Sequence, residues 1–140
     1  MSVQKKKLSS NKKNNDSPVF KVLAVDDEEV MGYLIQRVVD RLGYDVDWVR
    51  DCKTALKKIE HQKYDVIVSD FRLPGMTGEL FYQKVVHQNA ELARRIIFVT
   101  GDTLNRQVLS FFKKMNVPYF AKPFNIDVLK KAIREMASSA

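Results

Sequence analysis

This 140-residue sequence predicts a doubly wound α/β fold: five parallel strands in the order 2-1-3-4-5, with helices on both faces. Three observations carry that prediction. Short apolar runs of strand length alternate five times with amphipathic stretches of helical period. Two of the runs, Val66-Ile67-Val68 and residues 96–99, are continuously apolar, as strands are when helices cover both faces. Four of the runs end in polar groups, Asp26-Asp27, Asp70, Thr100 and Lys122, which converge if the strands are parallel, because such sheets build their crevices at the carboxyl ends.

The elements follow in order from Val19. Residues 20–25 form a strand that stops at Asp26-Asp27-Glu28-Glu29, acids suited to the first turn of a helix through its dipole. Val30, Met31, Leu34, Ile35, Val38, Val39 and Leu42 recur at helical spacing up to Gly43, a natural stop. Residues 44–49 alternate Tyr44, Val46 and Trp48 with Asp45 and Asp47, the pattern of a strand with one wetter face, which belongs at a sheet edge. A helix over 52–61 turns Ala55, Leu56 and Ile59 inward, and residues 64–69 form the central strand. A loop over 71–78 holds Pro74 and Gly75, and a helix follows to about Gln88. Residues 96–99 are the fourth strand, 104–115 a helix, and 117–121 the last strand, with Pro118 favouring an edge. The last helix, about 125–136, places Ile126, Leu129, Ile133 and Met136 on its buried face. Right-handed crossovers with edge-like second and fifth strands give the 2-1-3-4-5 order.

Length allows one domain, over 19–140, that buries roughly two-thirds of its unfolded surface. Residues 1–18 hold five lysines against Asp16 and carry +4 of the net charge of +7. That Ser- and Asn-rich stretch has too few apolar residues to offset its ordering entropy, so a disordered basic tail is expected, a solubilising leader or a nonspecific tether to anionic surfaces. The folded part implies no specific nucleic acid. No run approaches the ~18 to 20 apolar residues that span a bilayer, and no signal peptide is expected. Cys52, the single cysteine, excludes an internal disulfide and suits a reducing compartment, so the expected location is the cytoplasm.

The polar strand ends define a chemistry. Carboxylates a few ångströms apart repel by roughly 4 kcal/mol at an effective dielectric near 20, so Asp26, Asp27 and Asp70 need a neutralising partner. All-oxygen ligands select a hard cation, Mg²⁺ or Mn²⁺, and Mg²⁺ completes its octahedron with waters and phosphate oxygen. Asp70 is then placed to attack a phosphoryl donor in line, giving an aspartyl phosphate. Lys122 and the metal neutralise the phosphoryl oxygens, and the Thr100 hydroxyl bonds one of them.

The strings Val-Leu-Ala-Val-Asp26-Asp27-Glu28, Val-Ser-Asp70-Phe-Arg-Leu-Pro74-Gly-Met76-Thr-Gly78, Phe-Val-Thr100-Gly and Ala-Lys122-Pro123-Phe124, in register over residues 19–136, resemble the receiver domain of two-component response regulators. The resemblance implies a flavodoxin-like (βα)5 fold, Asp70 as phosphoacceptor, and Mg²⁺ held by Asp26, Asp27, Asp70 and the Arg72 backbone carbonyl. It further implies Thr100 and Lys122 as phosphoryl-binding groups, Tyr119 as a rotameric switch, and a cis peptide bond between Lys122 and Pro123. The implied partners are a histidine kinase or histidine phosphotransfer protein upstream. Downstream, an effector or a second copy would dock on the face of the fourth helix, last strand and fifth helix.

Two departures bear on output. The run Lys113-Lys114-Met115-Asn116-Val117-Pro118-Tyr119 lacks the acidic pair common in transcription-factor receivers, and no DNA-binding module follows the last helix, so a stand-alone receiver or a piece of a larger protein is expected. The string from Glu91 to Thr103 is similar to receivers attached to hybrid histidine kinases.

Alternatives accompany these roles. Asp26 and Asp27 would serve as caps of the first helix, yet capping explains neither Asp70 nor Lys122. Lys122 would snorkel to solvent, and Tyr119 would be sheet packing. A turnover enzyme using an aspartyl phosphate, a phosphatase or phosphotransferase, usually needs a second acid two residues after the nucleophile, where Arg72 stands, so no turnover enzyme is expected. A pseudo-receiver, an interaction module that no longer takes phosphate, would lack a pocket group, and none is missing. His61 and His87 read as solvated, Cys52 as packing, and Trp48 as core or edge cover too far from the crevice to report on it.

Overall fold

The computed structural model describes residues 19–101 and 105–138. Its elements are β1 (Lys21–Val25), α1 (Glu29–Arg41), β2 (Asp45–Val49), α2 (Cys52–His61) and β3 (Val66–Asp70). Then come the two-residue strands β4 (Arg72–Leu73) and β5 (Met76–Thr77), α3 (Gly78–Gln88) and the one-turn α4 (Ala90–Ala93). The chain continues with β6 (Ile96–Thr100), α5 (Arg106–Met115), β7 (Tyr119–Ala121) and α6 (Ile126–Ser138).

Five strands form one parallel sheet in the order β2-β1-β3-β6-β7. This is the expected 2-1-3-4-5 arrangement, because β4 and β5 pair only with each other, as an antiparallel hairpin. Gly75 turns that hairpin at φ 86°, a left-handed conformation open to glycine.

The continuous apolar runs divide their side chains between two layers, as buried parallel strands do. On one face Val22, Ala24, Val66, Val68 and Ile97 pack under Ile35, Val38 and Val39 of α1 and Leu129 and Ile133 of α6. On the other, Leu23, Val25, Ile67, Ile96 and Phe98 pack against α2, α3, α4 and α5, where Phe81, Phe111 and Phe112 supply most of the bulk. Each such buried side chain contributes about 1.5–3 kcal/mol. Helix starts are fixed by side chains that accept backbone N–H bonds: Asp51 from Thr54, Thr77 from Leu80, Asn89 from Leu92, and Asn105 from Gln107 and Val108. The bond from Thr54 also holds the Asp51 carboxyl below its usual range.

Several expectations are corrected. Ile126, read as lying on a buried face, is 44% exposed, and Val30, the first residue of the helical spacing after Asp26-Asp27, is 80% exposed. Both lie in the first turn of a helix that starts beyond the strand ends, where no sheet surface lies beneath. Tyr44, Val46 and Trp48 pack on the core as their alternation implies, but the opposite face is less wet than expected, since Asp47 is half-buried, accepts the Tyr64 hydroxyl at 2.6 Å and pairs with Lys21 at 3.3 Å. The expected tail over 1–18 and the expected helix start at Leu104 lie outside the described residues. Among the described residues no helix is long and apolar enough to cross a membrane.

Candidate functional site

The strand register brings the polar ends together. Val25 of β1 pairs with Ser69 of β3, so Asp26 emerges beside Asp70, and Asp70 itself is the last residue of β3, opposite Val99. Thr100 closes β6 opposite Ala121, and the next residue, Lys122, donates its backbone N–H to the Thr100 carbonyl at 2.8 Å. Asp26, Asp70 and Thr100 are buried. The Lys122-Pro123 peptide bond is cis.

Lys122 is the hub of the charges. Its Nζ lies 3.1 Å from Asp70 Oδ2, 3.2 Å from Glu28 Oε1 and 3.6 Å from Asp26 Oδ2. Burial works against the ammonium, but Asp70 and Asp26 outweigh it and hold its pKa above the ordinary lysine value. Asp26 is pushed up to about 6, first by burial and further by the Asp70 and Glu28 charges, against the Glu28 amide and Lys122. Asp70 Oδ1 accepts the Arg72 backbone N–H at 3.1 Å.

The acids fit a hard cation. Oxygens of Asp26, Asp27 and Asp70 lie within 4.8 Å of one another. Asp26 Oδ1 accepts the Glu28 N–H at 2.9 Å, while Asp26 Oδ2, though buried, has no hydrogen-bond partner. A buried carboxylate oxygen without a donor is costly unless a cation serves it. Three carboxyl groups, those of Asp26, Glu28 and Asp70, lie within 4 Å of the Lys122 ammonium, and Asp27 adds a fourth to the crevice lining. Capping does not absorb these acids, because Glu28 occupies the N-cap of α1 and no side chain caps that helix. An open crevice of about 590 Å³ lies above them, lined by Asp27, Glu28, Asp70, Arg72, Gly101 and Lys122.

Tyr119 sits on the edge strand, 38% exposed, with its ring stacked on Phe112 at 4.3 Å and 11°. Phe112 in turn meets Phe71, the residue after Asp70, at 4.9 Å.

Sequence reasoning missed two neighbours of the acids. Glu28 is an ion-pair partner of Lys122; its place directly after Asp26-Asp27 was the available signal. Trp48 is not remote: its Nε1 donates to the backbone carbonyl of Asp26 at 2.8 Å. Strand pairing explains that proximity, because Trp48 lies in β2, one residue before the partner of Val25.

Comparison with known proteins agrees with this geometry. Residues 22–134 match the response regulator receiver domain. The transcriptional regulatory protein RprY of Bacteroides fragilis is 32% identical over 110 residues, covering 79% of this chain and 46% of that protein. The sensor protein EvgS of Escherichia coli is 34% identical over 119 residues, 82% of this chain and 9% of that one. The chain thus spans less than half the length of either relative. Among solved structures, the chemotaxis protein CheY4 of Vibrio cholerae superposes with a TM-score of 0.74 at 30% identity, over 85% of this chain and 99% of that one. On the matched span and the shared fold, the chain belongs to the response regulator receiver domain family.

Proposed function

We propose that this chain is the phosphoacceptor of a cytoplasmic two-component phosphorelay, taking a phosphoryl group from a histidine kinase or histidine phosphotransfer protein onto Asp70. The observation that carries the reading is the Asp70 carboxylate at the end of the central strand. It faces the crevice, with Lys122 Nζ at 3.1 Å and two further carboxylates beside it.

Asp26, Asp27 and Asp70, joined by the Arg72 backbone carbonyl, would hold Mg²⁺, with Mn²⁺ as a substitute. When bound, the cation neutralises the acids and the developing charge on the phosphoryl oxygens. An Asp70 oxygen forms the new P–O bond as the P–N bond of the donor phosphohistidine breaks, its electron pair leaving on the imidazole nitrogen. The Arg72 amide orients Asp70 through Oδ1. Lys122, already desolvated and charged, exchanges an Asp70 contact for a phosphoryl oxygen. Thr100, at the neighbouring strand end, supplies a hydroxyl to another oxygen, and Tyr119 reports the change on the face of α5, β7 and α6. That face is the docking surface for an effector or a second copy. Asp70 accepts the group and later loses it to water, so the chain supports its own phosphorylation without being a turnover enzyme.

Intact mass after exposure to a small-molecule phosphodonor tests the reading. One phosphoryl group is expected on the wild type with Mg²⁺, little in EDTA, and none on Asp70→Asn, since an amide is not a competent nucleophile. Lys122→Ala retains partial uptake. Full labelling of Asp70→Asn would remove the nucleophile from Asp70.

A further inference from the structure

Both backbone polar groups of Asp26 are fastened to the end of β2. The Asp26 N–H donates to the Val49 carbonyl at 3.1 Å, and the Asp26 carbonyl accepts Trp48 Nε1 at 2.8 Å. The regular β1–β2 register stops at Val25 and Val49, so the indole extends the pairing by one residue, to the point where the chain leaves the sheet. The indole is itself immobilised. It lies against Gly32 of α1, where a Cβ would come within 2.1 Å of the ring, and the Arg50 guanidinium covers it at 4.6 Å. Arg50 is tied to Glu29 at 3.1 Å. Asp26 and Gly32, on either side of the turn bearing Asp27, therefore both contact one tryptophan, and Glu29 reaches its ring through Arg50.

From this geometry we infer that Trp48 is a positioning residue for the metal site, using its indole N–H to hold the Asp26 peptide so that the carboxylates of Asp26 and Asp27 are aimed before any cation arrives. The inference rests on the reading of these acids as cation ligands. Groups that orient metal ligands from outside the coordination sphere typically change affinity by about 10- to 100-fold when removed. Here the bond reaches a backbone carbonyl rather than a ligand atom, so an effect near the lower end, about tenfold, is expected. Trp48 touches no reacting atom; it acts through Asp26.

The test is calorimetric titration of the full chain with MgCl₂, well below the unfolding temperature, for wild type and Trp48→Phe. Phenylalanine keeps a ring on Gly32 and lacks the N–H. The expected result is about tenfold weaker Mg²⁺ binding by the variant, a readout that a purely structural role would leave unmoved at that temperature. Equal affinity in a folded Trp48→Phe overturns the positioning role alone. A wild type that binds no Mg²⁺ overturns the metal reading, and the inference with it. Trp48 is the only tryptophan, so wild-type emission supplies a second measurement that needs no variant. A change at the calorimetric midpoint places the indole beside the bound cation, and Gly32→Ala, which displaces the indole without removing its N–H, supplies a second variant whose unchanged Mg²⁺ affinity overturns the inference even if Trp48→Phe fails to fold.

Discussion

Two aromatic rings flank the crevice, each seated on a helix glycine, and they are held in different ways. Trp48 lies on Gly32 of α1 and is fixed by one directional hydrogen bond to Asp26. Phe71 lies on Gly78 of α3, where a Cβ would come within 2.3 Å of the ring, and meets the rings of Phe98, Phe111 and Phe112 at 5.1, 5.6 and 4.9 Å. A hydrogen bond has one good geometry, whereas edge-to-face ring contacts have several of similar energy. The β1–β2 side is therefore built to hold the acids still. The β3–β6–β7 side rests instead on ring packing, and its row of rings runs from Phe71, beside Asp70, to Tyr119 at the surface.

The largest test of that difference is Phe112→Ala. The ring is buried and stacks on Tyr119, so its removal should cost about 3–5 kcal/mol in urea denaturation. A loss below about 1 kcal/mol would show that the row of rings is slack rather than packed.

On the rigid side the next largest effect is electrostatic. Asp26 titrates near 6 when folded against 3.8 as an ordinary aspartate, so without metal its folded form keeps a proton that the unfolded chain has lost. The folded state thus loses stability as pH rises from about 4 to 6, by about 3 kcal/mol in all, and stays at that lower level above. Asp26→Asn in EDTA should recover about 2–3 kcal/mol at neutral pH and show no advantage below pH 4. A variant less stable than wild type at neutral pH would mean that the ion pair with Lys122, not the burial of charge, dominates at Asp26.

The acids of this site were legible because each follows an apolar run whose strand character is plain, and parallel strands must deliver their ends to one edge. Lys122 was legible for the same reason. What was not legible depends on contacts between elements. Trp48 read as core or edge cover, since nothing in its own alternating stretch indicates that its N–H reaches past the end of the neighbouring strand. The β4–β5 hairpin was hidden in a loop whose Pro74 and Gly75 announce a turn but not pairing, and α4 is a single turn capped by Asn89, too short to show a period. Ile126 kept the helical spacing of the core stripe, yet whether sheet lies beneath the first turn is settled only by where the helix starts.

Substituting the two glycines separates the sides with a smaller effect. Gly32→Ala and Gly78→Ala each force a ring to move and should cost about 1–3 kcal/mol. Only Gly32→Ala, by displacing the indole from Asp26, should also weaken Mg²⁺ binding in calorimetry. Equal losses of Mg²⁺ affinity in both would mean that the two rings serve the acids alike, and the contrast between them would fall.

The last effect is a shift of population rather than a loss of stability, and it is the one the proposed function depends on. On the proposed function, a phosphoryl oxygen that gained a hydrogen bond from Thr100 would stabilise one arrangement of the β6 end, and such a bond to a charged group is worth about 1.5–3 kcal/mol. That is enough to move a two-state population by roughly tenfold or more. Tyr119, exposed on β7, would turn inward, and Phe112, stacked on it, would have to shift with it. Amide exchange with and without a stable phosphoryl mimic should therefore change in Arg106–Met115 and Tyr119–Ala121, while Asp45–Val49, tied to the acids by Trp48, keeps its protection. If the changes stop at the residues around Asp70, the rings do not carry the signal and the module binds phosphate without transmitting it. If Asp45–Val49 changes as much as β7, the indole is no clamp, and both sides of the crevice move together.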